Sequence, residues 1–174
     1  SPMSRGLGDV YKRQGVVNVG NSATNKLTMS GTTYKTGTGA TDYEAKAGGT
    51  ILLTDDDPTV TTGGGSLSFS TGDIVLSTAG TTTFTTGAGG GDITIAGKID
   101  GTATQAEALA ITSGTGNIQI QGAIGGTQKL STIAINSAAG SGTIEVANIG
   151  AGAVGASSTV AIGNTDTLTL TLDG

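Results

Sequence analysis

Apolar and polar residues alternate over short stretches of the chain, and the same stretch returns at intervals. Such a period of two places residues i and i+2 on one face of a β-strand. The pattern Gly-x-Ile-x-apolar occurs five times, at spacings of 23, 19, 25 and 26 residues, and each copy predicts a short strand. The copies are GTILL from Gly49, GDIVL from Gly72, GDITI from Gly91, GNIQI from Gly116 and GTIEV from Gly142.

Two weaker copies, NKLTM from Asn25 and DTLTL from Asp166, extend the repeat to seven rungs. One rung cannot bury its apolar pair alone, but stacked rungs bury a continuous column. We therefore predict an all-β protein with a right-handed parallel β-helix, or β-solenoid, of about seven rungs of ~24 residues with two or three strands per turn. The handedness follows from the rule for parallel crossovers.

The repeat also predicts which side chains stack. Ile51, Ile74, Ile93, Ile118 and Ile144 are expected to form one inward column, with Leu53, Leu76, Ile95, Ile120 and Val146 beside it. A less regular position eight residues into the rung holds Ile99 and Ile124, with Ile149 one residue earlier. A further alternating pair predicts an opposing wall: Tyr43/Ala45, Leu67/Phe69, Thr82/Phe84, Leu109/Ile111, Ile133/Ile135 and Val160/Ile162.

The alternative fold is a Gly/Thr-rich antiparallel β-sandwich. Two-residue hairpins favour Asn-Gly or Asp-Gly between strands, and only Asp100-Gly101 meets that spacing. Helix is disfavoured because 32 of the 174 residues are glycine and the 3.6-residue period is missing. The solenoid is the better prediction.

Residues 1–14 differ from the rest in composition. Both arginines, Arg5 and Arg13, lie there, and the remainder carries 5 Lys against 12 Asp and Glu, a net charge of −7. The ending DVYKRQ resembles translated sequencing-adapter read-through at the ends of environmental shotgun reading frames. We therefore expect a non-native or disordered tail at 1–14, and a solenoid region at 15–174 that is a fragment of a longer protein.

Composition narrows the chemistry. The chain has no cysteine and no histidine, which removes thiolate nucleophiles, disulfides and the commonest metal ligand. A pI near 4.4 argues against nucleic acid as a partner. No run of 18 apolar residues predicts a transmembrane segment. We expect no enzymatic activity and no cofactor, because the acids, including Glu107 and Glu145, are scattered and there is no arginine after Arg13.

The acidic residues give only weak candidates for a Ca²⁺ site. Asp55, Asp56 and Asp57 form the densest cluster, but they lack the EF-hand spacing and predict a solvated turn closed by Pro58. Asp73 and Asp92 follow the glycine of successive copies, so the predicted register stacks them one strand apart. Asn117 is expected to continue that column.

The segments GDITIAGKIDG, GNIQIQGAIGG and LAITSGTG resemble the β-strand repeats of filamentous-haemagglutinin-like adhesins and autotransporter passengers. The resemblance covers about residues 45–174 and implies export to the cell surface and contact with other cells, a host or matrix. The segment from Ser158 to Asn164 resembles a repeat in the heads of trimeric autotransporter adhesins, but it occurs only once in this sequence.

We accordingly predict a structural or adhesive stalk segment of a large exported bacterial surface protein, which spaces or presents a binding region for a surface, host or matrix ligand. A repetitive surface-layer or matrix protein is the alternative. A polysaccharide-active β-helix enzyme and an ice-binding protein are less favoured. The predicted outward column for ice binding is mixed: Thr28, Leu52, Val75, Thr94, Gln119, Glu145 and Thr169. Uncapped strand edges predict end-to-end self-association of the isolated chain.

Overall fold

Short parallel β-strands stacked in a solenoid make up the computed structural model. The structure describes residues 16–102, 106–150 and 155–173, so the predicted tail at 1–14 lies outside the described residues. Every strand pairing in these described ranges is parallel, which confirms the solenoid and excludes the antiparallel sandwich. None of the described residues forms a helix long and apolar enough to cross a membrane.

Successive turns add a strand, or part of a strand, to each of three columns, which are numbered here in chain order. Column 1 contains β1 (Val17–Gly20), β4 (Thr41–Glu44), β7 (Leu67–Thr71), β10 (Ile93–Ile95), β13 (Ile118–Ile124), β15 (Ile144–Ile149) and β17 (Leu170–Leu172). Column 2 contains β2 (Lys26–Met29), β5 (Thr50–Leu53), β8 (Asp73–Leu76), β11 (Ile99–Asp100) and the last residues of β13 and β15. Column 3 contains β3 (Thr33–Lys35), β6 (Thr59–Thr61), β9 (Thr81–Thr85), β12 (Ala108–Thr112), β14 (Thr132–Ile135) and β16 (Val160–Ile162).

Columns 1 and 2 belong to one sheet, because β13 pairs with β10 through its first residues and with β11 through its last. Column 3 forms a separate six-stranded sheet. The strands of column 1 give about six turns, close to the seven rungs predicted. Equivalent residues lie 24 to 27 apart in column 1, as in the pairs Val17 with Thr41 and Glu44 with Thr71.

The predicted isoleucine column is wrong, because its members belong to two columns. Ile51 and Ile74 stack in column 2, where Ile99, Ile124 and Ile149 continue them. The members of column 1 are Thr41, Leu67, Ile93, Ile118, Ile144 and Leu170. Their neighbours divide in the same way, with Leu53 and Leu76 in column 2 and Ile95, Ile120 and Val146 in column 1. The 19-residue spacing from Gly72 to Gly91 is therefore a change of column, not a shortened rung.

The opposing wall is correct only in part. Leu109 stacks on Ile133 and Ile133 on Val160, and Ile111 stacks on Ile135 and Ile135 on Ile162, in column 3 as predicted. Thr82 and Phe84 belong to the same column, also as predicted. The pairs Tyr43/Ala45 and Leu67/Phe69 were wrongly assigned to this wall, since Tyr43, Leu67 and Phe69 lie on column 1 strands.

The last copy of the repeat is also out of register. Leu170 and Leu172 stack on Ile144 and Val146. The sequence pattern assigned these places to Leu168 and Leu170. Leu168 instead lies before the strand and is 76% exposed.

Close approach of successive turns explains why a glycine precedes the inward isoleucine. A Cβ built on Gly116 would overlap the carbonyl oxygen of Gly91, and one on Gly142 would overlap that of Gly116. The corner before column 2 is equally tight, because a Cβ on Gly97 would overlap the carbonyl oxygen of Gly72. Strands of column 1 and strands of column 2 are therefore both preceded by the motif Gly-x-apolar. The motif alone does not show to which of the two columns a strand belongs.

The core is a continuous apolar interior between the three columns. Tyr43 stacks on Phe69 with ring centroids 5.3 Å apart, and Phe69 contacts Phe84 of column 3 across the interior at 4.7 Å. Burial of each large apolar side chain contributes roughly 1.5–3 kcal/mol. Fully buried members include Phe69, Phe84, Ile51, Leu53, Leu67, Ile74, Leu76, Ile93, Ile95, Ile99, Leu109 and Ile111.

A ladder of polar side chains fills the corner between column 3 and the next strand of column 1. The Thr86 hydroxyl donates to the Gly91 carbonyl at 2.9 Å, and the Ser113 hydroxyl donates to the Gly116 carbonyl at 2.6 Å. Each hydroxyl thus closes the loop that leads into the next strand. The members of this polar ladder are Thr62, Thr86, Ser113, Asn136 and Asn164.

Candidate functional site

The outward side of column 1 has the most polar hydrogen bonding between turns. We call Asp92, Thr94, Asn117, Gln119, Thr143 and Glu145 the polar face; they line a cleft of about 270 Å³. Asp92 accepts a hydrogen bond from the Asn117 N–H at 2.7 Å, and the Asn117 side chain accepts from the Thr143 N–H and hydroxyl at 3.0 and 2.8 Å. Gln119 donates to Glu145 at 3.1 Å. Each contact joins two successive turns.

The same face continues toward the first turns. The Asp42 carboxylate accepts the hydroxyls of Ser68 at 2.6 Å and Ser70 at 2.8 Å. Ser68 belongs to the turn that follows Asp42, so this carboxylate also links two turns. Sequence reasoning missed this contact because its register stacked Tyr43 on Leu67, whereas Tyr43 pairs with Phe69 and Asp42 with Ser68. The serines on alternate residues of an outward strand were the available signal.

The predicted stacking of Asp73 on Asp92 is wrong. Asp73 begins β8 in column 2, where it pairs with Thr50 and accepts the Lys98 N–H at 3.0 Å. Asp92 precedes β10 in column 1. The two carboxylates therefore do not repel each other across one strand spacing, and no cation is needed to offset such repulsion. The expectation that Asn117 stacks on Asp92 is confirmed by their hydrogen bond.

Asp55, Asp56 and Asp57 lie at the turn after β5. Asp55 accepts a hydrogen bond from the Asp56 N–H at 2.8 Å, and Asp57 accepts the Thr81 N–H of the next turn at 2.6 Å. Asp57 has a φ of 52°, a left-handed conformation that aspartate tolerates better than most residues. Its carboxylate therefore acts as a bridge between turns. Within the described ranges, no three His, Cys, Asp or Glu side chains are grouped so that they could hold a metal ion.

Glu107 is an acid buried in the rod, at the start of column 3. Its Oε1 accepts hydrogen bonds from the Thr102 N–H at 3.0 Å and from the Thr102 hydroxyl. Glu145 is on the exposed polar face of column 1. The two glutamates thus belong to different columns and do not form the pair of facing carboxyl groups that glycoside hydrolysis uses.

The outward side of column 3 is uncharged over most of its length, and we call it the threonine face. The register stacks Thr33, Thr59 and Thr83 in one row, which Ala110, Ala134 and Ala161 continue. A parallel row contains Lys35, Thr61, Thr85 and Thr112. The mixed column that argued against a threonine array lies on the outward sides of columns 1 and 2, and the threonine face lies on column 3.

A groove of about 460 Å³ lies beside the threonine face at the glycine-rich corner. The groove is lined by Thr85 and Thr112 and by the corner glycines Gly87, Gly114 and Gly140. The remaining lining residues next to these glycines have small side chains: Ala88, Thr115, Ala139 and Ser141. The groove has one acidic side chain, Asp166. Its lining offers backbone and hydroxyl groups, which can bind by hydrogen bonds but do not supply a nucleophile with an adjacent base.

No known protein family, curated protein or solved structure matches this chain.

Proposed function

We propose that this chain is a stalk segment of a large exported bacterial surface protein, which spaces or presents a binding region for a cell-surface, host or matrix ligand. One observation carries the proposal: the apolar core and the hydrogen-bonded ladders run through successive turns of all three columns. A continuous core and backbone ladder resist bending better than separately folded beads would. The resemblance of the repeats to adhesin and autotransporter segments supports the same role and the surface location.

The proposed stalk has a mechanical role and no catalytic one. Several of its hydroxyl, amide and carboxylate groups hold one turn to the next, as Asp42, Asp57 and Asn117 illustrate. A repetitive surface-layer or matrix protein would use the same rod, and it differs from an adhesin in where the molecule is anchored.

The location is tested with antibodies raised against the 174-residue chain. Intact, unpermeabilised cells of the source bacterium should be labelled, and immunogold should place the label at or beyond the outer surface. Label confined to permeabilised cells would contradict the proposal. Removal of the label by gentle shearing favours an extended adhesin, whereas regular label over a lattice on the envelope favours the surface-layer alternative.

One observation favours a second candidate, ice binding. The threonine face is a sheet with no register shift in its pairings from β3 to β16. Parallel strands place outward hydroxyls about 4.8 Å apart between turns and about 6.6 Å apart along a strand. A flat, regular array of hydroxyl and methyl groups can hold water molecules in fixed positions, as an ice-binding surface must.

Thermal hysteresis of a solution of the chain tests this second candidate. The wild-type chain should separate the freezing and melting points of ice, and Thr83→Tyr should remove most of the effect because the ring disrupts the flat array. Thr94→Tyr places the same ring on the polar face and should leave the effect intact. A wild-type chain without hysteresis, or equal loss in both variants, would exclude an ice-binding threonine face.

A further inference from the structure

A difference in corner length shapes the groove beside the threonine face. The corner that leads from column 3 to column 1 has eight residues at 85–92 and again at 136–143. The corner stacked between these two, at 112–117, has six residues. The shorter corner therefore leaves a recess between its longer neighbours, and residues of all three corners line the groove of about 460 Å³.

The recess has room for one extended chain. Neighbouring corners follow the strand spacing of about 4.8 Å, so the two longer corners lie about 9.6 Å apart. A helix has a diameter of about 10–12 Å with its side chains and is too wide to enter. Among the described residues that line the groove, none has a side chain larger than aspartate or threonine, so a ligand can reach the backbone at Gly87, Gly114 and Gly140.

Three hydroxyl groups in the groove are available to a ligand. The side chains of Thr112, Thr115 and Ser141 make no hydrogen bond to the described part of the chain. The backbone of the same corners is used between turns, since the Gly114 carbonyl accepts the Ser141 N–H at 2.8 Å and the Thr115 N–H donates to Gly89 at 3.3 Å. A ligand rich in hydroxyl groups therefore matches the groove better than a peptide strand, which pairs with free backbone groups.

Asp166 gives the groove a negative charge. Its N–H donates to the Asn164 side chain at 2.7 Å, and that side chain donates to the Gly140 carbonyl at 3.0 Å. Asp166 is thus tied to the preceding turn, inside the stack. Its exposed carboxylate has no partner in the described part of the chain, and no lysine or arginine is among the described lining residues. The groove therefore favours a ligand that carries a positive charge.

We infer that this groove binds an oligosaccharide with free amino groups, such as a chain of β-linked glucosamine. The ammonium group of one sugar pairs with the Asp166 carboxylate, and ring hydroxyls exchange hydrogen bonds with the threonine and serine hydroxyls. The C–H faces of the rings lie on Ala88, Ala139 and the glycine backbone. The inference assigns a ligand to the rod itself and so goes beyond the proposed stalk, whose surface location holds whether or not the groove binds sugar.

A lysine-rich peptide is the other source of a cation. A lysine side chain offers an ammonium group to Asp166, but its stem has no hydroxyl groups for Thr112, Thr115 and Ser141. The amino sugar satisfies both the charge and the hydroxyls, and the two ligands are therefore distinguished by direct comparison.

Heteronuclear NMR titration of the full 174-residue chain tests the site, with the amide shifts of Gly87, Gly114 and Gly140 as the readout. The probes are the tetramers of β-linked glucosamine and of β-linked glucose, which differ in the amine, and tetralysine. The measurements are made at a pH at which the sugar amines are protonated. The glucosamine tetramer should shift the three amides and bind about three- to tenfold more tightly than the glucose tetramer.

Three variants locate the binding. Asp166→Asn should remove the advantage of the amine and leave binding of the glucose tetramer unchanged. Ala139→Tyr puts a ring into the groove and should weaken binding of both sugars at least about tenfold. Ala138→Tyr is the matched control, because Ala138 is the exposed neighbour that does not line the groove, and both sugars should bind it as they bind the wild type. Circular dichroism verifies that each variant is folded.

Four results would overturn the inference. They are equal binding of the glucosamine and glucose tetramers to the wild-type chain, tetralysine binding as tight as that of the glucosamine tetramer, and equal losses in the two tyrosine variants. The fourth is an absence of shifts at the three glycine amides with about 10 mM glucosamine tetramer.

Discussion

At the scale of single residues, polar side chains inside the solenoid serve to close corners. Asn136 makes several hydrogen bonds at one corner. Its side chain accepts a hydrogen bond from the Ser113 N–H at 3.0 Å and donates one to the Ser113 hydroxyl at 3.1 Å. Its own carbonyl accepts from the Asn164 side chain at 2.6 Å. Asn136 also has a φ of 43°, a left-handed conformation that asparagine adopts more readily than alanine. One residue thus links three turns.

Replacing Asn136 should therefore be costly. Asn136→Ala leaves the buried Ser113 N–H without its acceptor and strains the backbone, so we expect a loss of about 2–4 kcal/mol in the free energy of unfolding. Asn136→Gly loses the same hydrogen bonds without the strain and should lose about 1 kcal/mol less. Urea unfolding followed by circular dichroism measures both. An alanine variant as stable as the wild type would show that the ladder does not stabilise the corner.

Tyr43 gives the interior a pH dependence. Burial, and secondarily the neighbouring Tyr34, raise the pKa of its phenol above the usual 10.0. The unfolded chain releases this proton near pH 10 while the folded chain holds it. The contribution is fully present below the unfolded pKa and is lost as the pH rises toward the folded pKa.

We therefore expect the free energy of unfolding to fall as the pH is raised above about 10, more steeply in the wild-type chain than in Tyr43→Phe. The phenylalanine keeps the stacking on Phe69 and lacks the titrating group. Urea unfolding of both proteins from pH 8 to 11 measures the difference. Parallel stability curves for the two proteins would contradict the assignment.

At the scale of strands, the sequence predicts the fold class but not the stacking partners. Alternation and recurrence were enough to predict parallel strands in a solenoid, because both are local properties of a repeat. The register failed because Gly-x-Ile opens strands in two columns, as GDIVL from Gly72 and GDITI from Gly91 show. Gly97-Lys98-Ile99 and Gly122-Ala123-Ile124 belong to the same corner as Gly72 and were the overlooked signal.

The polar contacts of the candidate site were harder to predict than the fold. Asp42 and Ser68 are 26 positions apart in the sequence, and their contact depends on a register correct to one residue. The bulges at β4 and β13 shift that register locally. The stacking of Asn117 on Asp92 was predicted correctly, because both residues follow the glycine of a repeat copy that begins a column 1 strand.

The energetic contrast within one strand tests element-level packing. Ile118 is 1% exposed and lies between Ile93 and Ile144, whereas the next residue, Gln119, is outward. Ile118→Ala should cost about 2–5 kcal/mol, since it removes buried apolar volume and leaves a cavity. Ile118→Asp should cost more, because an unpaired carboxylate would enter the core. Gln119→Ala should cost little, and equal losses at 118 and 119 in urea unfolding would contradict the inward and outward assignment.

At the scale of the whole molecule, turns that would be unstable alone are stabilised by stacking on one another. Each turn contacts only the turns before and after it, so stability is close to a sum of turn and interface terms. The ladders of Asp42, Asp57 and Asn117 reinforce those interfaces on the outside, and the polar ladder reinforces them at one corner. The proposed stalk and the threonine face both depend on this stacking, and therefore on the three-column register.

Disulfide trapping measures that register most directly, because the chain has no cysteine of its own. Thr94→Cys with Gln119→Cys places two thiols on outward residues that the structure stacks in adjacent turns of column 1. Parallel neighbours have a separation that a disulfide can span. Val75→Cys with Thr94→Cys is the comparison pair. The sequence repeat stacked these two positions in adjacent turns, whereas the structure assigns them to different columns. The three-column register predicts rapid intramolecular oxidation of the first pair and none of the second; the reverse result would contradict the three-column solenoid.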